Sequence, residues 1–167
     1  MNLLESSRQL GGLRAVELAC HSRLGVRSRR ARAPRAVRWL SSAGLAHAWR
    51  AMLLEGLLPV SVGLPRIDEL TVLPEGVLGS ELARVLPDPG CQDFDPASDP
   101  RTHDRQADDG NSFIDDLCSH LYPSLLAAYG ERLETSSPAA DGAICRIVGR
   151  AVADLEAVRA EGLALVD

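Results

Sequence analysis

With 167 residues, 46% of them apolar and 25% charged, the chain is long enough to bury one real core and has the composition of an ordinary globular domain. A formal net charge of −5 gives no global reason to bind nucleic acid. No window approaches the roughly 20 apolar residues of a membrane span, so neither nucleic acid nor membrane is expected as a partner. Aromatic residues make up only 4%, which requires an aliphatic core, and all 18 basic residues are arginine. The start, MNLLESSRQLGG, lacks the basic and apolar runs of a signal peptide. Cys20, Cys91, Cys118 and Cys145 are far apart with no CxxC pair. Together these features predict reduced thiols in a cytoplasmic protein.

Residues 3–24 read as a first helix. Leu10, Leu13, Cys20 and Leu24 form its apolar stripe, and Glu17 occupies the position where that stripe calls for another apolar residue. A carboxylate there needs a charged partner, a proton or a metal. Two readings stay open: an arginine pairs with it at the stripe's edge, or it belongs to a pocket with His21, one turn on. Gly11-Gly12 weakens this helix near its start and is expected to split it. The following connector, 23–38, carries seven arginines, with Gly25 as a helix stop and Pro34 as the next start. No aromatics interleave with them, so a solvated loop, or one pairing with acidic segments of the same chain, is expected rather than a nucleic-acid patch.

A second helix spans Trp39 to Leu58. Trp39, Ala43, Ala46, Leu53 and Leu57 share one face, with Trp49 and Met52 beside them. His47 lies on the edge of that face, in line with Leu40, Gly44, Ala51 and Leu54. Residues 59–79, with three prolines, read as an extended connector before a short helix at Ser80–Leu86. The stretch 87–112 is rich in Pro, Asp and Gly and is expected to be the most mobile part of the chain, or a flap. His103 stands there among aspartates that lack calcium-loop spacing.

The third helix is expected from Ser112 to Glu134, with Ile114, Leu117, Leu121, Leu125 and Ala128 inward and a kink near Tyr122 where Pro123 removes a helix bond. Asp116 and His120 lie one turn apart on it. After the turn TSSPAADG, a fourth helix spans Ala143 to Leu165 on the stripe Ile144, Val148, Ala151, Leu155, Val158 and Leu165. Asp154 and Glu161 share one edge of that stripe, and Arg150 can pair with Asp154.

Four long helices with a long crossover between the second and third match the pattern of an all-α, ferritin-like four-helix bundle formed by a single domain. The segments VELACHSRLG, LAHAWRAMLLEGLLP and LYPSLLAAYGERLETSSPAADGAICRIVGRAVADLEAVRAEG resemble a family of small ferritin-like helical-bundle proteins from actinobacteria, most closely at His47-Ala48-Trp49 and the turn SSPAADG. The resemblance implies the bundle fold. Ferritin-like di-iron proteins carry a Glu-x-x-His pair on each of two helices. Here Gly44 stands three residues before His47 and Leu117 three before His120, so no metal or other cofactor is expected.

Three functions compete. The first is a metal-free enzyme of specialised metabolism that binds a small, largely apolar molecule between its helices. Glu17, its pKa raised by burial, is then the catalytic general acid and His47 the base or orienter, while His21, Trp49, His120, Tyr122 and Glu161 bind the ligand. The second is an iron oxidase using Glu17, His47, His120 and Glu161. The third is a non-catalytic binding or structural protein whose polar residues are satisfied in the core or at a homodimer face.

Overall fold

The computed structural model describes residues 2–86 and 110–166. Among them every element is a helix and no strand is present. The expectations for Cys91, His103 and most of the 87–112 loop therefore fall outside the described residues.

Helix α1 spans Leu3–Ser28 and starts from Asn2, whose side-chain oxygen accepts the Glu5 backbone N–H at 2.8 Å. Gly11-Gly12 does not split it. Gly11 instead admits another segment: a Cβ there would stand 2.1 Å from the Leu70 carbonyl oxygen. Gly25 does not stop it either, and the helix continues for another turn.

Helix α2 spans Pro34–Glu55, with Pro34 in its first turn, where a missing N–H costs nothing. Its buried face is Ala36, Trp39, Leu40, Ala43, Gly44, His47, Arg50, Ala51 and Leu54. This is rotated from the expected face. Trp49 and Met52 are 48% and 55% exposed and, with Leu45, form an apolar stripe on the outside. The physical reason is that the buried stripe runs through two polar residues, His47 and Arg50. A face chosen by apolar count turns away from both.

The proline-rich connector contains the single turn α3, Ile67–Leu70, and runs into α4, Val77–Val85, which begins after Gly76 at φ +89°. Helix α5, Asn111–Asp116, passes into a π-helical turn at Leu117–Leu121 and then into α6, Tyr122–Glu134. The expected kink takes this form. Pro123 has no N–H to give, and the Tyr122 N–H reaches five residues back to the Leu117 carbonyl. Helix α7 spans Gly142–Val166.

Helices α1 and α2 run antiparallel, since Arg14 meets Glu55 at one end and His21 meets the Gly44 carbonyl further along. Helix α7 packs on α5 and α6 and touches α2, while α1 also meets α6. The core between them is aliphatic, with Val16, Leu24, Leu40, Leu54, Ile114, Leu121, Leu125 and Leu155 fully buried. The Trp39 indole N–H donates to the Val158 carbonyl at 3.3 Å and its ring lies over Gly162, where a Cβ would come within 2.6 Å of the ring.

In a solvated helix Gly→Ala stabilises by about 0.5–1 kcal/mol. Gly149 has open space where a Cβ would sit, so Gly149→Ala should raise stability by that amount. Gly11→Ala and Gly162→Ala should instead lower it by about 1–3 kcal/mol, because each new methyl meets a packed neighbour. Urea denaturation of the three variants checks this. Stabilisation in all three would contradict the close approaches.

Candidate functional site

Three elements converge on Glu17, the third entered through the π-turn. Helix α1 turns it inward between Leu13 and Cys20, α2 brings His47 and Arg50 one turn apart, and α6 brings Tyr122 at its start and Tyr129 two turns on. One carboxylate oxygen accepts from Arg50 Nε at 2.9 Å and from the Tyr129 hydroxyl at 2.6 Å. The other lies 2.6 Å from His47 Nδ1. The far ring nitrogen, Nε2, stands 3.1 Å from the Tyr122 hydroxyl. Glu17, His47, Tyr122 and Tyr129 are all 0% exposed and Arg50 is 1% exposed.

The tautomer follows from these contacts. A lone pair on Nδ1 would face a carboxylate oxygen at 2.6 Å, so Nδ1 carries the proton and donates to Glu17. Nε2 then accepts from the Tyr122 O–H, giving the chain Tyr122 to His47 to Glu17. In that tautomer the 2.9 Å approach of an Arg50 terminal nitrogen to Nδ1 is a contact and not a hydrogen bond.

Burial pushes the Glu17 carboxyl up, but His47 and Arg50 beside it outweigh burial and hold it below its ordinary value. The raised pKa expected of a general acid is therefore not found. Burial also drives His47 down, against the pull of Glu17 and with the push of Arg50, so its ring stays neutral. The cluster is an ionised Glu17–Arg50 pair around a neutral histidine. Burial keeps both tyrosines as phenols, raised well above their ordinary range. Arg50 Nη1 is buried without a partner among the described residues.

A groove of about 1090 Å³ opens beside this cluster and does not include it. One wall is α1 from Arg8 to Leu13, the opposite wall is α6 from Pro123 to Arg132, and the α3–α4 segment closes the third side. That segment is pinned to α1 by Arg14, which donates to the Thr71 hydroxyl at 2.6 Å, and by the backbone approach at Gly11. Leu13 and Pro123, which line the groove, are the sequence links between groove and cluster. Leu13 lies one turn before Glu17, and Pro123 follows Tyr122 directly.

Of the residues expected at the site, Glu17, His47 and Tyr122 come together. The others do not join them. His21 is exposed and bonds the Gly44 carbonyl at 2.9 Å. Trp49 is on the outer face of α2, His120 is 52% exposed beside Asp116, and Glu161 is exposed on α7. The iron ligand set Glu17, His47, His120 and Glu161 is thereby divided between core and surface. Both oxygens of Glu17 are already taken by donors. Among the described residues no three His, Cys, Asp or Glu side chains are grouped to hold an ion, and these four residues do not form one ligand set.

Arg50 and Tyr129 are members that the helical patterns passed over. Arg50 follows His47 by three residues and so shares its face, and Tyr129 follows Tyr122 by seven, two full turns. Both positions were visible as polar or aromatic residues on an otherwise apolar line.

Glu17→Gln keeps the shape but leaves the Arg50 charge buried and unopposed, so a loss of about 3–5 kcal/mol is expected in chemical denaturation. The double variant Glu17→Met with Arg50→Met should lose much less than the sum of the two single changes. Additive losses would show that the pair is not coupled. The pH dependence follows as well. The unfolded chain binds a proton on His47 below its ordinary 6.5 and the folded chain does not, so stability should fall as pH drops from 7 toward 5. The slope is at most about 1.4 kcal/mol per pH unit for this one group. Glu17 adds to the loss below its ordinary 4.5. His47→Gln should flatten the upper part of the curve. A wild-type protein equally stable at pH 7 and pH 5 would contradict a neutral buried His47.

The chain matches no family model, no curated protein and no solved structure.

Proposed function

We propose that this protein is a helical-bundle protein, of ferritin-like type, that binds a small and largely apolar molecule in the groove between α1, the α3–α4 segment and α6. The observation that carries this reading is the groove itself. Its volume lies just above the range usual for small-molecule sites, its walls include Leu13, Leu70, Leu78 and Ala128, and its rim is charged. In this reading Glu17, His47 and Arg50 are positioning residues. They lock α1, α2 and α6 together and so hold two of the groove's walls at a fixed separation.

Acid–base catalysis by Glu17 and His47 is the second reading, and one observation favours it. The Tyr122–His47–Glu17 chain has the order of a proton relay, and its outer member adjoins Pro123 in the groove wall. Against it stand the sealing of every member and the ionised state of Glu17. If the relay acts on the groove's ligand, Tyr122→Phe should abolish its turnover and leave its affinity nearly unchanged.

The test of binding uses a neutral fluorescent probe, N-phenyl-1-naphthylamine, titrated with protein. Saturable enhancement with micromolar affinity is expected. Ala127→Trp places a large ring in the groove from an exposed position of α6 and should weaken the probe at least about ten-fold, a loss of about 1.4 kcal/mol. No saturable binding, or binding indifferent to Ala127→Trp, would remove the groove as the site.

A further inference from the structure

Among the described residues two arginines are buried, Arg50 and Arg132, and of these two only Arg50 has a counter-charge there, Glu17. Arg132, near the end of α6, is 2% exposed, and its bonds go to hydroxyls alone: Ser136 at 2.8 Å, Thr135 at 3.4 Å and Ser6 at 2.8 Å. Its Nε is buried and without a partner, and no carboxylate pairs with it among the described residues. A buried guanidinium met only by hydroxyl dipoles keeps an unmet demand for a counter-charge. Arg132 is also part of the groove wall, and Arg8 on α1 lines the same groove.

We propose that the groove's ligand is an amphiphilic monocarboxylate, with its carboxylate on Arg132 and its apolar body along Leu13, Leu70, Leu78 and Ala128. This deepens the groove-binding reading and rests on it. The geometry of the donors favours a carboxylate. The hydroxyls occupy the two terminal nitrogens and leave the Nε–H free, and Nε with its neighbouring terminal N–H makes one of the edges by which a guanidinium grips a carboxylate in two parallel bonds. The rim sets the charge. Glu69, Glu75 and Glu131 also line the groove and repel any anion, a dianion such as a phosphate monoester about twice as strongly as a monocarboxylate, so the single charge that Arg132 can pair in two parallel bonds is favoured. The groove is open, so an aliphatic tail or a ring system both fit the apolar walls.

The test compares two ligands with the same apolar body, decanoate and decanol, as competitors of the neutral probe at pH 7 in the full chain. Decanoate is expected to displace the probe at a concentration at least about ten-fold lower than decanol, as one desolvated charge-assisted pair supplies. Arg132→Gln should collapse that ratio toward one. Arg132→Lys, which keeps the cation but lacks the Nε edge, should recover only part of it. Equal displacement by the two ligands in the wild type would overturn the carboxylate assignment and leave groove binding standing, and needs no variant to fold. A preference for decanyl phosphate over decanoate would overturn it in favour of a dianion. Failure of the probe to bind at all would bring down the groove reading and this inference together.

Discussion

The Glu17–Arg50 ion pair is the interaction on which the rest of the packing depends. Both groups are removed from water, and each is tolerable only because the other is there. Placing a carboxylate on the apolar stripe of α1 commits the chain to bring a cation from α2 to the same point. Once there, the remaining acceptor capacity of Glu17 draws in His47 and Tyr129, and His47 in turn fixes the Tyr122 hydroxyl. An aliphatic core of Leu, Val and Ala would pack in several registers with little difference in energy. A charged cluster with directional bonds on α1, α2 and α6 permits one register, and we regard that as its main contribution.

That register shapes the surface. The turn of α1 just before Glu17 carries Gly12 and Leu13, and the beginning of α6 carries Pro123, so the spacing of the groove's two long walls is set from the core side. The third wall depends on absent side chains. Gly11 lets the Leu70 carbonyl approach α1, and the positive φ of Gly76 starts α4 at the angle that completes the enclosure. The ionised cluster inside the bundle and the groove on its flank are thus separate places, the cluster sealed from solvent and the groove open to it.

Much of this was legible from residue pattern alone. The helices follow from apolar periodicity, Pro34 marks the start of α2, Pro123 marks the irregularity before α6, and Glu17 stands out because its neighbours at helical spacing are apolar. The inward turn of Glu17 and its proximity to His47 could be read because both lie on otherwise apolar lines. The face of α2 could not be read correctly. Its stripe includes Arg50, and counting apolar residues places Trp49 and Met52 inside when the need to neutralise Glu17 decides the matter. The ligand-binding or iron-ligating role expected of His120 and Glu161 rests on spacing, which gives a side chain's angle on its own helix but not where that helix sits against its neighbours. The groove was invisible for a related reason. It is built by a connector with one turn of helix whose position is set by contacts at Gly11 and Thr71, and neither has a periodic signal.

The central claim is that Glu17 is an ionised structural partner of Arg50 and not a proton-bearing acid. The ionisation of that one carboxyl can be followed directly by carbon-13 NMR in protein labelled at glutamate side-chain carbons, with Glu17 assigned by its loss in Glu17→Gln. We expect its resonance to remain at the carboxylate position as pH is lowered from 8 through the ordinary carboxyl range until the protein unfolds. A resonance that titrates in the folded protein near neutral pH would show a carboxyl held protonated by burial, and would contradict the account.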